Sequence, residues 1–474
     1  MIELNDVTYT YPHTVQPALD GISLSLGRGR CILVTGPSGA GKTTLCFAAS
    51  GILHHEYGGK KGGSVRVDGK DVADYKSLSD LARNVGVVFD DPEAQMIFTT
   101  VEEEILSALE HRGLSASEIE ERLAMIIRTA YLSELKDRSP HHLSGGQKQR
   151  VALAATLALG NDILVLDEPT SELDEHATQR IAGILSDLKA QGKTLLLVEH
   201  KYEHFRGMVD TLVVMENGAV TASGDPDDVL KDERIRGMIL PDFSTVPRAV
   251  PVAAGVETII DVRNLSHSYG DVEALHGISL TINKGEFIAI VGENGSGKTT
   301  LVKHFNRLLS PTSGDVIVNG KNTKDCTITE LSRHVGLVFQ NPDHMFFADS
   351  VRDEIAFGLR NVGMDAGEPV ISAALSEAGL LGSADLYPRW LSRGERQRLA
   401  IACIVAMQPG VIVLDEPTTG LDGYEARFVI DVLKKLQEKG HTIVIITHNR
   451  DIAEHCADRV ITMENGRIVA DRRR

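Results

Sequence analysis

The chain contains no apolar run approaching the roughly 18 residues that a membrane-spanning helix needs, so a membrane role would have to come through a partner. Its first residues, MIELNDVTYTYPH, lack a charged-then-apolar leader, and a cytoplasmic location is expected. Cysteine is sparse. Cys31, Cys46, Cys326, Cys403 and Cys456 are scattered without a C-x-x-C pair, which disfavours zinc, iron–sulfur and disulfide frameworks and suits a reducing compartment. Positive charge is also in deficit, with 49 Lys and Arg against 66 Asp and Glu and a formal net charge of −17. No nucleic-acid partner is expected from that balance, because phosphate binding is driven by clustered cations. What is present, 42% apolar and 24% charged residues over 474 positions, suits an ordinary globular protein of two or more domains.

Two stretches carry the strongest pattern. Gly36, Pro37, Ser38, Gly39, Ala40, Gly41, Lys42, Thr43 and Thr44 read GPSGAGKTT, and Gly292, Glu293, Asn294, Gly295, Ser296, Gly297, Lys298, Thr299 and Thr300 read GENGSGKTT. Both satisfy G-x-x-x-x-G-K-[ST], and each follows an apolar run that predicts a buried parallel strand. Glycines let the backbone curl so that several N–H groups converge, and the helix opening at the lysine adds its positive dipole end. Polyphosphate is the natural occupant, with Lys42 and Lys298 reaching the β and γ phosphates and the Thr43 and Thr299 hydroxyls holding Mg²⁺.

The two halves align from end to end, as a tandem duplication would. Lys42 and Lys298 lie 256 positions apart, whereas Ser144 and Ser392, Glu168 and Glu416, and His200 and His448 all lie 248 apart. This predicts a first domain over 1–240, a proline-rich linker over 241–256 and a second domain over 257–474. Strand-like runs alternating with helical segments predict parallel α/β sheets. Segments 102–136 and 352–386 read as mainly helical inserts, and Asn-Gly at 217–218 and 465–466 predicts a closing hairpin in each half. The glycine-rich stretch HHEYGGKKGG over 54–63 reads as a surface loop.

A second signal is an apolar strand ending in acids, ILVLDEPTSELD over 163–174 and VIVLDEPTTGLD over 411–422. Asp167 and Asp415 at the strand ends read as metal-side residues, and Glu168 and Glu416 as candidate general bases that orient water. The alternative is that such acids simply cap the next helix. His200 and His448 follow the next strand, where a γ-phosphate would lie. A third signal, LSGGQKQR over 143–150 and LSRGERQR over 391–398, opens a second helix with an anion-accepting N-terminus.

Taken together, these motifs resemble those of the ATP-binding cassette ATPases, over nearly all of both halves. The resemblance implies an α/β fold of two P-loop cassette domains, each a parallel α/β core with an antiparallel β part and a helical insert. It implies ATP and Mg²⁺ as cofactors, and two halves that pair head to tail. Each ATP would lie between one half's phosphate loop and the other half's signature: Ser144, Gly145, Gly146 and Gln147, or Ser392, Arg393, Gly394 and Glu395. Tyr11 and Tyr269 match the family's adenine-stacking aromatic, and Gln340 its glutamine beside the metal. The stretches FDDPEAQMIFTTVEEEI over 89–105 and FQNPDHMFFADSVRDEIAFG over 339–358 look like those of energy-coupling-factor importers. That resemblance implies an integral membrane coupling protein, a substrate-capturing membrane protein and a position at the cytoplasmic face of the membrane. Met96-Ile97-Phe98 and Met345-Phe346-Phe347 match the family's docking position; local burial is the competing reading. Rival functions are a tandem cassette acting on ribosomes or DNA, and the ATPase of a sugar importer.

The halves depart from the pattern in different places. The first has Asp90 where the second keeps Gln340, and the second has Arg393 and Glu395 where the first keeps Gly145 and Gln147. Head-to-tail pairing would bring both departures to the site of Lys42, and it predicts unequal sites, with the Lys298 site the faster.

Overall fold

The computed structural model describes the whole chain apart from His13, His111, Glu172, residues 248–256 and Arg474. It forms two compact units, Met1–Leu240 and Pro241–Arg474. Among the described residues no helix is long and apolar enough to cross a membrane.

Each unit carries a six-stranded sheet. In the first unit the order is Ala219–Gly224, Thr211–Glu216, Cys31–Thr35, Thr194–Val198, Ile163–Asp167 and Val85–Val88. All neighbours are parallel except the Ala219–Gly224 edge strand, which returns as a hairpin. The second unit repeats this with Phe287–Val291, Thr442–Ile446, Val411–Asp415 and Val335–Val338 in the corresponding places. Successive residues of these strands enter opposite cores. Leu33, Leu164 and Leu197 pack under the helical segments, while Ile32, Val165 and Val198 pack toward a four-stranded antiparallel sheet. Burial on both faces is why the strands read as unbroken apolar runs.

That antiparallel sheet runs Leu19–Leu26, Ile2–Thr10, Lys60–Val67 and Lys70–Asp71 in the first unit. It corrects the reading of 54–63 as a surface loop. His54 and His55 end the short helix Ile52–His55, and Lys60 to Gly63 belong to a strand paired with Ile2–Thr10. Their glycines serve close approach: a Cβ at Gly63, where φ is +76°, would collide with the Asn5 and Asp6 carbonyls.

The stretch expected as a linker is partly outside the described residues. Its beginning packs onto the second unit, with Phe243 and Val246 buried in that unit's core. Arg427 pins it by donating to the Asp242 carbonyl at 2.7 Å and to Thr245 Oγ1 at 2.8 Å.

The helical segments are Val101–Glu110, Ala116–Thr129 and Gly145–Ala158 in the first unit and Val351–Asn361, Glu368–Glu377 and Arg393–Ala406 in the second. A buried glutamate in the first turn of the leading helix holds the preceding loop. Glu104 Oε2 accepts from the backbone N–H of Ile97 and of Phe98, both at 2.9 Å. Glu354 Oε1 accepts from Phe347 and Ala348 at 2.5 and 2.6 Å, and burial pushes its carboxyl upward. Truncating Glu354 to alanine strands two backbone donors and should destabilise the second unit by about 2 to 3 kcal/mol. Denaturant titration of Glu354→Ala beside the parent chain reads this directly.

Candidate active site

Four adjacent parallel strands end together in each unit, and their C-terminal ends carry the phosphate loop, the acid pair, the histidine and Asp90 or Gln340, whereas the signature opens a separate helix. In the first unit Gly36 follows Cys31–Thr35, His200 follows Thr194–Val198, Glu168 follows Ile163–Asp167, and Asp90 follows Val85–Val88. In the second, Gly292, His448, Glu416 and Gln340 hold the corresponding places. In parallel sheets ligands gather at this edge because helix N-termini and loops converge there.

The loops are shaped by glycine and clamped from outside. Gly36 has φ +147°, and a Cβ there would strike the Met215 carbonyl; Gly292 meets Met463 in the same way. The Asn-Gly hairpins close over the loops, Gly218 N–H donating to the Ala40 carbonyl and Gly466 N–H to Ser296, each at 3.1 Å. That clamping was not visible from the turn sequence. Lys42 Nζ donates to the Gly36 and Pro37 carbonyls at 2.9 Å, and Lys298 Nζ to Gly292 and Glu293 at 2.8 Å. Each ammonium is thus held within its own loop.

In the second unit a cavity of ≈ 280 Å³ is lined by Tyr269, Asn294, Gly295, Gly297, Lys298, Thr299, Thr300, Gln340, Asp415, Glu416 and His448. Thr299 Oγ1 donates to Asp415 Oδ2 at 2.7 Å. Desolvation, with the Glu416 charge, raises the Asp415 carboxyl, while the Thr299 hydrogen bond and Lys298 oppose the rise. His448 Nε2 lies 3.0 Å from Glu416 Oε1 and 2.9 Å from Asn294 Oδ1, so one imidazole links the acid to the phosphate loop. Glu416 occupies the left-handed region at φ 50°, as Glu168 does at 45°. Such strain at a non-glycine residue is held in place by its surroundings and concentrates at functional sites.

The first unit assembles the same parts with a different balance. His200 Nε2 lies 3.2 Å from Glu168 Oε1. Asp167 is 1% exposed, and among the described residues neither carboxylate oxygen has a partner of ordinary hydrogen-bond geometry. Its pKa is pushed up to about 7, first by burial and then by the charges of Glu168 and Asp90, with Thr43 and Lys42 opposing. Asp90 reaches solvent on one side, yet desolvation and the Glu168 charge push its carboxyl upward as well. Sequence reasoning missed Glu199. Buried beside His200, it accepts from Thr170 N–H at 2.8 Å and His200 N–H at 3.0 Å; the second unit has Thr447 there.

The aromatic residues differ too. Tyr269 is 51% exposed, its hydroxyl 3.5 Å from Thr300 Oγ1. Tyr11, 3.2 Å from Thr44 Oγ1, is wedged edge-on between Tyr9 and Tyr57. Beneath Tyr269, His267 stands edge-on at 4.7 Å and its Nδ1 lies 3.3 Å from Nε2 of the fully buried His304. His304 Nδ1 donates to the Thr300 carbonyl at 2.8 Å. Desolvation depresses the His304 pKa below 6.5. Its contribution to stability is therefore complete above pH 6.5 and is lost as the pH falls below that value, where the unfolded chain takes up the proton first. The melting temperature of the second unit should drop between pH 7 and pH 5.5, and His304→Ala, which installs the residue found at Ala48, should flatten that slope.

The two signature helices start alike and then diverge. Ser144 and Gln147 form a capping box, as do Ser392 and Glu395; the backbone N–H of Ser144 donates to Gln147 at 3.0 Å, and that of Ser392 to Glu395 at 2.8 Å. Glu395 thus places a full negative charge at the helix end that would accept an anion. The Arg393 side chain lies along the loop of its own unit, so that a Cβ at Gly420 would stand 2.6 Å from the guanidinium carbon. In the first half the corresponding residues are Gly145 and Glu172, the latter outside the described residues.

The described side chains fit a magnesium-bound polyphosphate. The buried Asp167 carboxylate in one unit and a threonine–aspartate contact in the other are oxygen donors of the kind Mg²⁺ takes. Thr43 with Asp167, and Thr299 with Asp415 and Gln340, would hold it. The ion would supply charge neutralisation at phosphate oxygens.

The ABC transporter family profile matches residues 19–171 and again 275–419. The chain belongs to the ABC transporter family. A protein of Methanosarcina acetivorans named "Putative ABC transporter ATP-binding protein" is 49% identical over 99% of this chain and 90% of its own length. One from Methanosarcina mazei with the same name is 47% identical over 99% and 95%. Among solved structures, cbiO1 from Clostridium perfringens, described as part of the ABC transporter complex cbiONQ, is 37% identical; the match covers 45% of this chain and 88% of that one, with a TM-score of 0.42. This ABC protein is the ATPase subunit of a transporter, built from two cassettes and using ATP with Mg²⁺.

Proposed function

We propose that this ATPase powers a membrane importer of the energy-coupling-factor type from the cytoplasmic face of the membrane. It would act through an integral coupling protein and a substrate-capturing membrane protein. The observation that carries the reading is the way each motif at 96–98 and 345–347 divides. Met96 and Phe346 are 7% and 8% exposed and anchor the loop in the core, whereas Ile97 and Phe347 are 82% and 74% exposed. Glu104 and Glu354 fix the backbone that turns these side chains outward. Of the two sequence readings, burial accounts for one residue of each motif, and the exposure of its neighbour supports docking. An apolar side chain held rigidly in water costs free energy unless a partner covers it.

In this reading each MgATP is bound by the phosphate loop of one half and the signature of the other. Lys42 and Lys298 hold phosphates, Tyr11 and Tyr269 meet the base, Glu416 accepts the proton of the attacking water, and His448 positions Glu416. The Lys298 site receives the neutral Gln147; the Lys42 site receives Glu395, whose carboxylate competes with phosphate for the same helix end. The second site is therefore the faster. Purification of the chain from gently solubilised membranes of its own cells tests the assembly. Two integral membrane proteins should accompany it in fixed ratio, and recovery only with ribosomes or DNA would overturn the reading.

A further inference from the structure

The strands that lead to His200 and His448 are followed by different residues. Glu199 and Thr447 hold the same backbone place, their N–H groups donating to the Val34 carbonyl at 3.1 Å and the Ile290 carbonyl at 3.2 Å. Beyond that point the units part. Glu199, 1% exposed, accepts from Thr170 N–H at 2.8 Å through one carboxylate oxygen and from His200 N–H at 3.0 Å through the other. Lys201 reaches back to the same turn, its Nζ donating to the Thr170 carbonyl at 2.7 Å and the Leu173 carbonyl at 2.8 Å. Thr170 stands two residues beyond Glu168, whose Oε1 lies 3.2 Å from the His200 imidazole. Glu199 and Lys201 thus tie the backbone behind His200 to the backbone that follows Glu168.

In the second unit the corresponding side chains serve the next helix. Thr447 Oγ1 accepts from Asn449 N–H at 3.0 Å, and Asn449 Oδ1 accepts from Ile452 N–H at 3.1 Å, capping Arg450–Cys456. The His448 N–H goes to Glu416 Oε2 at 3.3 Å. The acid that faces the imidazole therefore also holds its backbone, through a hydrogen bond long enough to constrain little.

Resting on the nucleotide-site reading above, we propose that Glu199 and Lys201 are positioning residues of the first site, which set His200 and Glu168 in place before nucleotide arrives and so slow its release. When the side chains of a site are already held, less ordering is left for the ligand to impose, and the gain falls mainly on the dissociation rate. Thr447 and Asn449 supply no such hold, and His448 is ordered by the nucleotide itself. A site that turns over slowly is thereby given a means to keep its nucleotide.

Release is read by stopped-flow fluorescence, with a non-hydrolysable ATP analogue carrying a methylanthraniloyl group loaded with Mg²⁺ and chased with excess ATP. In the full chain, Lys298→Ala reports the first site and Lys42→Ala the second. Glu199→Thr with Lys201→Asn should speed release from the first site about tenfold and leave its association rate within about twofold. Hydrogen exchange at the Thr170 and His200 amides should rise with it, and second-site release should stay at the parent rate. Lys201→Arg, which can still donate to both carbonyls, should also stay at the parent rate. The reverse graft, Thr447→Glu with Asn449→Lys, should slow release from the second site about tenfold, and this arm decides where the first-site double variant does not fold. Raised exchange with unchanged release, equal acceleration at both sites, or no slowing in the reverse graft would overturn this inference and leave the nucleotide sites standing. Failure of both single-site chains to bind the probe would overturn both.

Discussion

Glu416→Gln in the assembled transporter should lower steady-state ATPase by at least about a hundredfold, the usual scale for a lost general base. Glu168→Gln should cost only about twofold. The contrast follows from the two environments. Glu416 sits in a cavity whose wall also carries Lys298, Thr299, Gln340 and His448, and His448 holds its carboxylate from 3.0 Å. Its proposed partner signature ends in Gln147, a neutral cap. Glu168 has its histidine at 3.2 Å, but it shares its surroundings with Asp90 and Asp167, and its proposed partner signature brings Glu395. Both variants keep the backbone and nearly the side-chain size, so what changes is one carboxylate oxygen, replaced by an uncharged amide NH2. Nucleotide affinity measured alongside separates a binding defect from a slower chemical step, and comparable losses in the two variants would remove the asymmetry.

Replacing Ile97 and Phe347 together by aspartate should weaken association with the membrane partners by about a hundredfold or more, because central apolar anchors typically contribute 2 kcal/mol or more each. Both side chains are largely exposed in the isolated chain, so its melting temperature and nucleotide binding should stay at parent values. The neighbouring Met96 and Phe346 are the internal control. They are buried, and Met96→Asp or Phe346→Asp should lower stability outright. Loss of membrane association together with loss of folding in the exposed pair would show that these residues serve the core instead.

The positions of the phosphate loops and acid-ended strands were legible in the sequence for definite physical reasons. A loop that packs against the Met215 or Met463 carbonyl leaves no room for a Cβ, so glycine marks it in the sequence as clearly as in space. A strand buried on both faces, such as Val411–Asp415, reads as one apolar run. The glycines at 59, 62 and 63 were read as loop because close approach to Ile2–Thr10 leaves the same residue in the sequence as a turn does. Phe243 and Val246 were hidden among prolines; their burial depends on an Arg427 contact made across about 180 residues of chain. Glu104 and Glu354 look like first-turn helix acids, and only the returning loop gives them backbone donors to hold. The contact of Arg393 with Gly420 is likewise tertiary, and no local pattern announces it.

Trapping with orthovanadate and labelled ATP in the assembled transporter addresses the central claim of two unequal sites. About one ADP should be retained per chain, on peptides containing Gly292 to Thr300, and Glu416→Gln should abolish it where Glu168→Gln does not. Retention of equal ADP at both phosphate loops, or label confined to Gly36 to Thr44, would contradict the account.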